Sequence, residues 1–125
     1  MTRRRPPMVL LAVALLALGA AAFAWLATPP GRAFDAETWR AREAAWDDSA
    51  ARMADRLIAQ STLQGMTRND VVRLLGTPPR TPYFGDWDLV YWLGPERGYF
   101  SVDSEWLVVR LDARQRVTDY RIVRD

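Results

Sequence analysis

The chain contains no cysteine, no histidine and no lysine. Without cysteine there is no disulfide, no thiolate nucleophile or thiolate metal site, and no attachment point for a lipoprotein's lipid. Without histidine, the commonest general base and the commonest metal ligand are gone, and Ser101 and Ser104 have no imidazole to activate them. Without lysine there is no Schiff-base chemistry and no P-loop, so Gly65 and Gly76 read as turn and cap glycines.

Positive charge is also scarcer than the total suggests. The whole chain carries +2, but outside Arg3, Arg4 and Arg5 it has 14 arginines against 15 acids, a net charge of −1. A phosphate-binding surface needs a basic stripe, and none is present, which excludes nucleic acid as a partner. Asp86, Asp88, Asp103 and Glu105 flank strand ends, where a carboxylate pair for glycoside hydrolysis could sit. Acids at strand ends are common, no neighbouring pattern singles out a general acid among them, and no ligand-rich loop surrounds Asp86 and Asp88. The sequence assigns no catalytic residue, metal, cofactor or small-molecule substrate.

What the chain does have begins with a charge-free run from Met8 to Ala27 behind the three arginines. About 20 residues at 1.5 Å each match the roughly 30 Å hydrocarbon core of a bilayer. The arginines predict a cytoplasmic N-terminus and a translocated C-terminus, and Trp25 suits the outer headgroup region. Pro29, Pro30 and Gly31 stop any helix there. A second reading stays open: Val9–Leu18 as the apolar stretch of a signal peptide, cleaved after Ala24 at Ala22-Phe23-Ala24. The expected organisation is a signal-anchor or signal peptide over 1–27, a linker over 28–33 and one domain over 34–125. The first reading implies an inner-membrane protein with a periplasmic domain, the second a periplasmic or secreted one.

Trp39, Trp46, Ala50, Met53 and Leu57 recur at helical spacing and predict one amphipathic helix over Asp35–Gln60 with an aromatic core stripe. A second helix is punctuated by Thr67 and Asp70 at its start, by Val71, Leu74 and Leu75 on its buried face, and by Gly76 and Pro78 at its end. A Pro-rich loop over Thr77–Asp86 leads into three strands at Trp87–Leu93, Trp106–Leu111 and Val117–Val123. The expected fold class is α+β: two helices on one face of a three-stranded antiparallel meander.

The strands carry too much apolar surface for a sheet with one wet face. Trp87, Leu89, Tyr91 and Leu93 point one way with Leu107, Val109 and Leu111. Val90, Trp92, Trp106 and Val108 point the other way and must be covered by a loop, another chain or lipid headgroups. These four are the candidate partner-binding residues; the other reading has Tyr99, Phe100 or the Pro-rich loop folded over them.

Gly65-Met66-Thr67, then Val71, Leu74, Gly76 and Pro78, resembles the Gly-Met-Thr…Val…Leu-Gly-x-Pro signature of the SmpA/OmlA family, and the likeness runs loosely over residues 61–123. That family includes the small lipoprotein of the outer-membrane β-barrel assembly machinery. The resemblance implies an α-α-β-β-β envelope domain that acts as a non-catalytic scaffold or assembly accessory with another envelope protein as partner. The lipidated cysteine of the assembly-machinery members is missing here. The same small fold also resembles that of protein inhibitors of secreted hydrolases, which gives an alternative function.

Overall fold

A computed structural model describes residues 28–100 and 102–125. The hydrophobic run over 8–27 lies outside them; among the described residues no helix is long and apolar enough to cross a membrane. The described chain is α+β, with helices first and then a three-stranded antiparallel sheet in the order β1-β2-β3.

The single long helix expected over Asp35–Gln60 is three pieces: α1 (Ala36–Arg40), α2 (Arg42–Ala45) and α3 (Ser49–Ala59). A slight break falls at Ala41 (φ −83°, ψ 2°) and the sharp one at Trp46, which adopts the left-handed conformation (φ 50°, ψ 47°). Asp47 then turns the chain, its Oδ1 accepting from the Ser49 amide at 3.0 Å, and α3 starts afresh. Such a side-chain bond to the backbone two residues on competes with helix continuation. Consequently Trp39, Ala50, Met53 and Leu57 are buried as expected, whereas Trp46 is 66% exposed.

Helix α4 (Arg68–Leu75) forms as its punctuation dictates. The Thr67 hydroxyl accepts from the Asp70 amide and the Asp70 carboxylate accepts from the Thr67 amide, both at 3.1 Å. The bond from the Thr67 amide is the first cause holding the Asp70 carboxyl below the usual carboxylate range. Gly76 ends the helix at positive φ, although its ψ of 173° is extended rather than left-handed. Replacing Thr67 by alanine removes one half of this box and should cost about 1 kcal/mol in a urea titration; no change would mean that water replaces the cap.

The sheet comprises β1 (Leu89–Pro95), β2 (Ser104–Leu111) and β3 (Val117–Arg124). Leu89, Tyr91, Leu93, Leu107 and Val109 join Trp39, Met53, Leu57, Val71 and Leu75 in one core between sheet and helices. Two hydrogen bonds fasten α4 to this core: the Trp39 indole donates to the Leu75 carbonyl, and the Tyr91 hydroxyl donates to the Gly76 carbonyl, each at 2.8 Å. Burial pushes the Tyr91 phenol up to about 12.

Trp87 does not join this face. It precedes β1, so strand alternation does not govern it, and it packs with Val90, Trp106 and Val108 on the opposite side.

Candidate functional site

The outer face of the sheet carries a second, smaller core of Val90, Trp106 and Val108, with Phe84, Trp87, Trp92 and Val123 packed against it. Val90, Trp106 and Val108 are only 7%, 8% and 0% exposed. Their cover comes from within the chain. Tyr83 and Phe84, in the Pro-rich loop, lie over Trp106 with ring centroids 5.5 and 6.1 Å away. The loop is therefore the lid that the sequence left as one of three options, and Trp92 is the half-buried member of the four candidates.

What reaches solvent is the continuation of this cluster. Trp92 and Trp106 are direct cross-strand partners. Trp46 stacks on Trp92 at 5.2 Å, and Tyr83 stacks on Trp106 at 5.5 Å. The result is an aromatic strip, Trp46–Trp92–Trp106–Tyr83, whose middle is packed and whose two ends are 66% and 50% exposed. Aromatic anchors of this kind dominate protein interfaces, because they offer large area and lose little side-chain entropy.

The backbone around Trp46 is built to hold it there. Arg42 donates from Nε to the Trp92 carbonyl at 2.8 Å and from Nη1 to the Trp39 carbonyl at 2.9 Å, with its guanidinium 4.6 Å from the Trp39 ring. Burial lowers the Arg42 pKa from its ordinary value. The Trp92 carbonyl sits where β1 shifts register, between Trp92 and Gly94. At Gly94 (φ 138°) a Cβ would lie 2.7 Å from the Asp47 carbonyl oxygen, so the glycine lets the turn after Trp46 lie against the strand. A left-handed, largely exposed tryptophan costs on the order of 1 kcal/mol or more and persists because these neighbours fix it.

Beside the strip, Arg110 and Arg121 stack over Trp87 at 4.0 and 5.4 Å. A shallow hollow of about 200 Å³ lies under the Pro-rich loop, lined among others by Pro78, Arg80, Phe84 and Trp87. That is below the roughly 300 to 1,000 Å³ of typical small-molecule sites.

The four acids weighed for catalysis do not converge. Asp88 Oδ2 accepts from the Leu111 amide at 2.7 Å, at the far end of β2 from Glu105. At ~3.4 Å per residue along the strand, that separates the two by about 20 Å, beyond the span of a glycosidase pair. Asp86 lies 4.0 Å from Arg110, and the Asp103 carbonyl receives the Glu96 amide at 2.9 Å.

Glu105 has a different role. It is 1% exposed and accepts from Arg97 Nε at 2.9 Å and from Arg124 Nη2 at 3.2 Å. Arg97 also grips Asp55 on α3, and Arg124 also pairs with Glu96 at 2.7 Å. The Asp55 hydrogen bonds are the first cause holding the Arg97 pKa above its ordinary value. This five-residue clamp joins α3, β2 and β3 to the base of the β1–β2 loop. Among the described residues no group of three or more acids is placed to hold a metal ion.

The signature residues occupy structural positions. Val71 is fully buried, Met66 and Leu74 pack against the main core, and the Met66 carbonyl accepts from the Val117 amide at 2.8 Å. The Gly65 amide donates to the Val117 carbonyl at 3.1 Å, so this turn is stitched to the start of β3.

No curated protein and no solved structure matches the chain. One family does: residues 57–121, from the end of α3 through most of β3, match the outer membrane protein assembly factor BamE domain. The match takes in the turn, α4 and sheet that carry the SmpA/OmlA-like signature, and the chain belongs to this BamE family.

Proposed function

We propose that this chain is a non-catalytic accessory of outer-membrane protein assembly that binds another envelope protein through its aromatic strip. The observation that carries the reading is the Trp46–Trp92–Trp106–Tyr83 array, packed in its middle and exposed at both ends. Family membership supports an assembly-related, protein-interacting role. The partner's contact falls on Trp46, Tyr83 and the half-buried Trp92, with Val90, Trp106 and Val108 supporting them from below.

The N-terminal run over 8–27 serves as an inner-membrane anchor, with the arginines in the cytoplasm and the domain in the periplasm. Cleavage near Ala24, giving a periplasmic protein, is the competing outcome. Inhibition of a hydrolase draws no support from the family match.

Co-purification from detergent-solubilised membranes tests the reading. Trp46→Ser with Tyr83→Ser should lose the partner that the unaltered protein retains. Both side chains are at least half exposed, but each packs on a strand tryptophan, so a urea titration establishes first that the variant is folded. Full retention of the partner by this folded variant would refute the strip as the contact.

A further inference from the structure

Three apolar side chains stand apart from both cores: Tyr99, Phe100 and Val102, in the β1–β2 loop, are 95%, 86% and 93% exposed. Tyr99 and Phe100 pack edge-to-face on each other at 5.1 Å. Their loop is held at its base. The Glu96 amide donates to the Asp103 carbonyl at 2.9 Å, and Arg97 is locked to Glu105 and Asp55. The clamp thus holds an apolar tip out in solvent, packed against neither core.

The linker reaches the domain at the same place. Arg56 donates to the carbonyls of Pro29, Pro30 and Gly31, and the Arg32 amide donates to the Arg52 carbonyl at 2.9 Å. At Gly31 (φ 82°) a Cβ would collide with the Arg52 carbonyl oxygen and lie 3.0 Å from the Asp55 Cβ. Only glycine allows the chain to lie this close to α3. The residue it lies against, Asp55, is the one that holds Arg97. The chain leaving the hydrophobic run and the exposed loop tip therefore share one end of the domain.

From these placements we infer that Tyr99, Phe100 and Val102 insert into the headgroup layer of the membrane that holds the N-terminal run. The inference rests on the anchor reading given under Proposed function. At ~3.5 Å per extended residue, the stretch from Ala27 to Gly31 reaches no further than about 14 Å. A docked linker of that length keeps this end of the domain at the bilayer surface. The headgroup layer is about 5 to 8 Å thick on each side, which the tip, two residues beyond Arg97, can cross. Tyrosine and phenylalanine suit that layer. Glu96 and Asp103 flank the tip, so anionic lipid is not the attraction. Insertion is apolar and occurs in zwitterionic bilayers with little dependence on salt.

Because the chain lacks cysteine, single labels can be placed cleanly. The full-length protein, reconstituted into phosphatidylcholine vesicles, would carry an environment-sensitive fluorophore at Phe100→Cys, at Leu16→Cys or at Arg114→Cys in the opposite hairpin turn. The label at 100 should be blue-shifted and quenched by headgroup-level nitroxide lipid at low and high salt, and the label at 114 should not. To exclude insertion driven by the dye, a label at Asp103→Cys should be quenched in the native loop. It should be released when Tyr99, Phe100 and Val102 are changed to serine. If the label at 16 is quenched by deep nitroxide lipid but those at 100 and 103 are not, the anchor stands and the insertion is refuted, leaving the tip to a protein partner. If the label at 16 is not quenched, the anchor reading itself fails and the insertion falls with it.

Discussion

Replacing Trp39 by alanine should destabilise the domain by about 3–5 kcal/mol, the usual cost of truncating a buried tryptophan. Trp39 is 1% exposed and lies between Phe34 and Tyr91, with ring centroids 5.9 and 6.2 Å away. Its indole also donates to the Leu75 carbonyl at the C-terminal end of α4, where orphan helix acceptors need a partner. The substitution opens a cavity and leaves that carbonyl unpaired. Small domains have net stabilities of roughly 5–15 kcal/mol, so this loss is a large fraction of the total. Urea titration measures the loss, and Trp39→Phe separates the two contributions, since the missing hydrogen bond alone should cost about 1–3 kcal/mol. A cost below about 1 kcal/mol for the alanine would show that α1 is not part of the cooperative unit.

Arg97→Ala should cost about 3 kcal/mol by a different route. Glu105 is 1% exposed, and Arg97 supplies one of its two guanidinium partners. Taking away one member of a buried charge set leaves the other under-compensated, at a typical cost of 3–5 kcal/mol. Arg124 stays with Glu105, which puts the expected value at the lower end. Asp55 is about a third exposed and can be rehydrated. Removing both charges tests the mechanism: Arg97→Met with Glu105→Leu should be less destabilising than Arg97→Ala alone. If the single substitution is neutral, the clamp does not brace the loop. The rigid presentation of Tyr99 and Phe100 would lose its basis with it.

Helix α4 was the most legible element because its signals are local: a cap, an acid three residues later, a terminal glycine and a following proline. The strands were legible from β-branched and aromatic density, and alternation assigned Leu89, Tyr91, Val90 and Val108 to the correct faces. Trp87 departs from the alternation because β1 begins only at Leu89, two residues after it. The break at Trp46 was hidden because helical periodicity runs through it from Trp39 to Leu57. The competing signal was present, however. Asp47-Asp48-Ser49 before an apolar run is a helix-start pattern, and here it outweighed the period.

The clamp could not be read in the same way. Arg97 meets Glu105 across 8 residues, Asp55 across 42, and Arg124 meets Glu105 across 19. Only the closing of the sheet brings these together. The candidate site was half legible: Trp92 and Trp106 stood out as surplus apolar residues. That Tyr83 and Phe84 would pack over Trp106, and that Trp46 and Tyr83 would form the two exposed ends, depended on loop conformation, which composition does not specify.

In-cell photo-crosslinking tests the account's central claim, that an envelope protein docks on the aromatic strip, most directly. A photoreactive amino acid would replace Trp46, Tyr83 or, as a control on the exposed face of α4, Arg73. The account predicts that one and the same envelope protein is captured from positions 46 and 83 and not from 73. Capture from 73 with silence at 46 and 83 would place the partner on the helical layer and contradict it.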